Sequence, residues 1–188
     1  MFDKLQQLGW CDKYIQYVLL KQKGLIRQAK QSLVDFIKIY QEQPKVDRRK
    51  FIDYVNSEAL HTKDYDLLPY NLYNEVLLPD TLLWIKEEPL NFIPYKWSSK
   101  LELVKTALQL APSDQETLIL YGNRLIQKIA MNQHEVSRGY QYDGNAKDDY
   151  EAIDFYQPYL ENIQDAANRE SLAIQLADLK ACALDNIN

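Results

Sequence analysis

Glycine is scarce, at 5 of 188 residues, and proline is limited to 7. A Gly-rich phosphate loop, a dinucleotide-binding fingerprint and a turn-rich β-sandwich all need more glycine than this, so the chain is expected to have none of them. Only two His and two Cys are present. That nearly excludes a zinc site built from protein ligands alone, and no metal or cofactor is expected. No apolar run approaches the roughly 20 residues needed to cross a bilayer. The first residues, Met1-Phe2-Asp3-Lys4-Leu5, lack the basic stretch and apolar core of a signal peptide. The expectation is a cytoplasmic protein that contacts no membrane, with Cys11 and Cys182 kept reduced. What is abundant is the mixture of a globular chain: 46% hydrophobic and 26% charged residues.

The net charge of −5 is unevenly spread. Residues 1–50 carry 11 Lys+Arg against 5 Asp+Glu, a balance of +6. Residues 51–188 carry 11 against 22, a balance of −11. Residues 143–165 hold seven acids and a single base, Lys147. Such a stretch repels nucleic acid and attracts a basic protein. The bases of the first 50 residues are dispersed around helices, so no nucleic-acid partner is expected.

Helical periodicity dominates. Ile26, Ala29, Leu33, Phe36, Ile37 and Tyr40 recur at spacings of three and four and form one stripe. Gly24 separates this helix from an earlier one bearing Tyr14, Ile15, Val18 and Leu19, and Pro44 ends it. Asp47 is the expected N-cap of a third helix, with Phe51, Tyr54, Val55 and Ala59 inside. Prolines 69, 79, 89 and 94 break up residues 64–98; two short helices and then an extended connector from Glu88 to Tyr95 are expected there. Ser98 or Ser99 caps the next helix. Ser113-Asp-Gln-Glu116 has capping-box spacing and starts a central helix to about Asn132. Residues 147–164 and 168–185 close the chain. The fold expected is all-α: about eight helices packed as antiparallel pairs, in one domain over 1–188 with candidate lobes 1–62 and 63–188.

One joint has repeat-like chemistry. Ala107 to Pro112, with Gly122 ten residues further on, is similar to the junction of two tetratricopeptide repeats. There a small residue packs between helices and a proline turns the chain. The register does not continue, since Lys100 and His134 stand where small residues belong. A solenoid needs about three repeats, so this is partial α-α repeat packing.

Catalytic constellations are weak. Neither cysteine has a local His partner, and neither Asp64/Asp66 nor Asp148/Asp149 has metal-loop spacing. His134 and Glu135, in the run Asn132-Gln-His-Glu-Val-Ser-Arg-Gly-Tyr140, could cap a helix, contact a partner or act as an acid/base pair.

Taken in order, Leu67-Leu-Pro-Tyr-Asn-Leu-Tyr-Asn-Glu-Val-Leu-Leu-Pro79, Trp84-Ile-Lys-Glu-Glu-Pro89, Pro94-Tyr-Lys-Trp97, Ala107-Leu-Gln-Leu-Ala-Pro-Ser-Asp-Gln115 and His134-Glu-Val-Ser-Arg-Gly-Tyr140 resemble a family of small helical bacterial proteins. These look like immunity proteins of interbacterial toxin systems, including contact-dependent growth inhibition. The resemblance covers roughly residues 65–165. In the family the loop reads His-x-Leu-Pro and then Tyr-Ile-Gly; here Val136 and Ser137 replace Leu-Pro, and Gln141 follows Tyr140. The resemblance implies a non-enzymatic inhibitor whose partner is a cognate toxin domain, often a basic nuclease. The toxin-binding candidates are then Tyr140, Tyr142, Asp143, Asp148, Asp149, Tyr150, Glu151 and Asp154, with His134 and Glu135 as loop candidates. A helical adaptor holding a peptide in a repeat-like groove is the alternative. The oligomeric state is left open.

Overall fold

A computed structural model describes residues 2–134, 136 and 141–187. Every regular element among them is a helix and none is a strand. The chain forms two compact units, Met1–Pro89 and Leu90–Asn188.

The first unit begins with α1 (Asp3–Gln7), α2 (Asp12–Gln22), α3 (Ile26–Gln41) and α4 (Lys45–Thr62). Its core is aromatic. Trp10, Tyr14, Phe36, Tyr40 and Phe51 lie with neighbouring ring centroids 5.0 to 6.1 Å apart, mostly tilted or edge-on. The α2–α3 pair is joined at Gly24, whose φ of +73° only glycine adopts without strain. Gly24 N–H donates to Lys21 O and Leu25 N–H to Leu20 O, the double closure of a Schellman turn. After a 3₁₀ turn at Tyr65–Leu67 come α5 (Tyr70–Leu72), a π-helical stretch at Tyr73–Leu77 and α6 (Leu78–Glu87), which follow one another without a break. The phenols of Tyr14 and Tyr17 donate to the carbonyls of Leu67 and Asp66, which ties the turn to α2.

The second unit holds α7 (Phe92–Lys96), α8 (Leu101–Leu110), α9 (Gln115–Gln133), α10 (Ala146–Leu160) and α11 (Ala166–Asp185). The antiparallel pairs α8–α9 and α10–α11 pack around α9, which touches α8, α10 and α11. Its core is Val104, Leu108, Leu118, Tyr121, Leu125, Ile129, Ile153, Tyr156, Leu172 and Leu176, with others. The central role expected of α9 follows from this: it is the helix with apolar residues on more than one face.

Several boundaries differ from the sequence reading. Asp47 does not cap α4. Pro44 holds that position, its carbonyl accepting from the N–H groups of Asp47 and Arg48. Asp47 sits in the first turn, where a carboxylate complements the helix dipole. The expected Glu88–Tyr95 connector is not extended throughout: from Phe92 it runs into α7, opened by Asn91, whose side chain accepts from Ile93 N–H. Ser98 lies two residues before the α8 cap, which is Lys100; the Ser98 hydroxyl accepts from Lys100 N–H instead. On α9 the cap is Asp114 rather than Ser113, bonding Thr117 N–H at 2.9 Å.

The repeat-like joint is a close approach of helices. Ala107 is fully buried. Gly122 faces the Tyr156 ring so closely that a Cβ there would lie 2.7 Å from the Tyr156 hydroxyl oxygen and 2.9 Å from Cε1. The same hydroxyl donates to Leu118 O at 2.6 Å.

Candidate functional site

The acidic stretch maps onto α10 and the segment leading into it. Asn145 caps α10, its side chain accepting from Lys147 and Asp148 N–H. Asp148, Glu151 and Asp154 then recur at intervals of three, all exposed, along one side of the helix. Asp143, just before the cap, is exposed as well. Lys147 stands 3.9 Å from Glu151 and neutralises little, both side chains being well exposed.

Two of the candidates, Asp149 and Tyr142, are structural instead of purely outward-facing. Asp149 is 1% exposed. Its carboxylate accepts from Asn132 Nδ2 at 2.7 Å and from the Tyr142 hydroxyl at 2.9 Å, with Lys128 Nζ 3.8 Å away. A buried carboxylate needs such partners, and having them it cannot also present itself to another protein. Asp149 therefore leaves the binding face. Tyr142 is half-buried and belongs to the same network; burial, with the Asp149 carboxylate beside it, pushes its phenol up to about 12. Gln133 Nε2 bonds both the Tyr142 oxygen and Leu179 O, which joins α9, the segment before α10, and α11. Asn132, Gln133 and Lys128 escaped sequence reading. The only local signal was a pair of amides at the end of an amphipathic helix.

Asp154 and Tyr150 are tied to α11 but remain accessible. Lys180 Nζ lies 2.5 Å from Asp154 Oδ1 and 4.9 Å from the centre of the Tyr150 ring. Tyr150 and Lys180 also line a shallow groove of about 320 Å³ between α10 and α11, floored by Ile153, Leu176 and Ala177.

His134 follows the last residue of α9 and is exposed. Its Nδ1 lies 2.7 Å from Met131 O, so that nitrogen carries a proton and donates to a carbonyl at the helix end. Glu135 and Tyr140 lie outside the described residues. Among the described residues no group of three or more His, Cys, Asp or Glu is placed to hold a metal ion. Burial raises the Cys11 thiol to about 12, which leaves it a poor nucleophile.

The two units differ in charge. Residues 1–89 hold 13 Lys+Arg against 13 Asp+Glu, a balance of zero; residues 90–188 hold 9 against 14, the whole net −5. The basic first 50 residues meet acids of their own unit: Lys21 pairs with Asp66, Lys45 with Glu87, Arg48 with Asp80, and Arg49 with Glu87 and Glu88. Set against protein-family models, curated proteins and solved structures, the chain matches none of them.

Proposed function

We propose that the protein is an immunity protein that binds a cognate secreted toxin domain, a basic nuclease by charge, and covers its active site without catalysing a reaction. The observation that carries this reading is the exposed row Asp148, Glu151 and Asp154 on the unit that holds all the net negative charge. Carboxylates spaced along a helix attract a cleft built for phosphates, and their field speeds encounter. Tyr150, beside this row, supplies an amphipathic ring of the kind that anchors interfaces. The test is neutralisation. With the partner domain in hand, Asp148→Lys combined with Glu151→Lys is expected to weaken binding by about 100-fold, most of it at low salt. Unchanged affinity would remove α10 from the interface.

The adaptor reading has the α10–α11 groove in its favour. Under it, Ala177→Glu abolishes peptide binding while the double charge reversal leaves it intact.

A further inference from the structure

The apolar stripe of α3 is wider than the core it feeds. Ala29, Leu33, Phe36 and Tyr40 are buried, but Ile26 is 49% exposed and Val34 47%. These two, with Ile37, Ala29 and Leu33, line a groove of about 370 Å³ on the first unit. Tyr17 lines it from α2, and Pro69 and the 74%-exposed Tyr70 from the start of α5. A volume in this range is that of a formed binding cleft.

The rim is basic. Lys21 and Lys30 both line the groove, Lys21 already paired with Asp66 at 2.7 Å and Lys30 free to meet a ligand's carboxylate. Lys30 is exposed and enters no ion pair among the described residues. Over residues 12–41, the α2–α3 hairpin, six bases (Lys13, Lys21, Lys23, Arg27, Lys30 and Lys38) face two acids, Asp12 and Asp35. The 11-residue step from Ile26 to Ile37 spans roughly 16 Å, three turns of a helix.

We infer that this groove docks a partner protein's acidic amphipathic helix of about three turns, with its apolar side on Ile26, Val34 and Tyr70 and its carboxylates on Lys30 and within the field of the basic α2–α3 hairpin. An apolar floor inside a basic rim selects this chemistry. The exposed aliphatic side chains gain nothing from phosphates, which disfavours nucleic acid, and Lys30 with the hairpin's excess of bases repels a basic helix. The site is separate from α10 and takes a ligand of opposite charge, so it stands or falls independently of the proposed immunity role.

The test is selection from a displayed library of random 16-residue peptides on the full chain, with counter-selection on Val34→Glu. Enriched peptides are expected to carry Leu, Ile or Phe at helical spacing flanked by Asp and Glu. They should bind Val34→Glu about ten-fold more weakly, and Lys30→Glu several-fold more weakly, than the unaltered chain. Both side chains are exposed, so circular dichroism and melting temperature should be unchanged. Enrichment of Lys/Arg-rich peptides, no enrichment over the counter-selected variant, or equal binding to Val34→Glu would overturn the inference. So would a concentration-dependent dimer in sedimentation that Val34→Glu abolishes, which would assign the groove to a second copy of this chain.

Discussion

At the residue scale, the tightest constraint is the contact between Gly122 and Tyr156. A methyl group at 122 would meet the phenol oxygen at 2.7 Å and the ring at 2.9 Å. Gly122→Ala should therefore destabilise by about 1–3 kcal/mol of overpacking, against a helix-propensity gain of no more than about 1 kcal/mol. Chemical denaturation measures this; Tyr156→Phe in the same background should recover part of the loss, because the nearest clashing atom is the hydroxyl. Asp149 is the second such residue. Asp149→Ala strands the Tyr142 hydroxyl and Asn132 amide and should cost about 2–4 kcal/mol. Asp148→Ala, one position away and exposed, should leave the melting temperature within error. The buried phenols also set the alkaline limit. Tyr14 and Tyr40 in the first unit are held above the ordinary tyrosine value chiefly by burial, as is Tyr121 in the second, at about 12. When a phenol's folded value is raised, the unfolded chain loses that proton first. Stability is then full below about pH 10 and falls above it, by about 1.4 kcal/mol per pH unit for each such tyrosine. Urea melts between pH 8 and 11.5 check the sign; a flat profile would show that these phenols ionise in place.

At the scale of elements, the helices were legible and their first residues were not. Periodicity places α3, because a stripe at spacings of three and four reports which face meets the core, while capping-box spacing places the start of α9 to within one residue. Caps are decided by single hydrogen bonds, and there the sequence offers several competitors within one turn. Ser113 and Asp114 both suit α9, and the stronger carboxylate acceptor prevails. Pro44 begins α4, its carbonyl taking the first helical N–H groups, although Asp47, three residues on, has the side chain of a cap. α7 is absent from the sequence reading for the opposite reason: five residues are too few to show a period. Gly122 was placed correctly as a close-packed position, yet nothing in the sequence named Tyr156 as the ring against it. Of the candidate face, the exposed acids could be read from spacing. The inward turn of Asp149 could not, since it depends on Asn132 and Tyr142 from other segments.

At the scale of the molecule, charge separates the two units. The first balances its bases within itself, through pairs such as Arg48 with Asp80 and the Arg49 contacts to Glu87 and Glu88. The second carries the full net charge and the acidic row. Each unit has its own core, aromatic in one and mainly aliphatic in the other. Residues 90–188 expressed alone should accordingly unfold cooperatively and keep the affinity for the basic partner; a fragment that binds no better than residues 1–89 would place the interface elsewhere. The most direct measurement of the central claim is capture from the native cells with the tagged full chain, washed at high salt and read by mass spectrometry. The account predicts a single toxin C-terminal domain in equal stoichiometry, lost when Asp148 and Glu151 are both changed to Lys. Recovery of nothing, or of several housekeeping proteins unaffected by those changes, would contradict it.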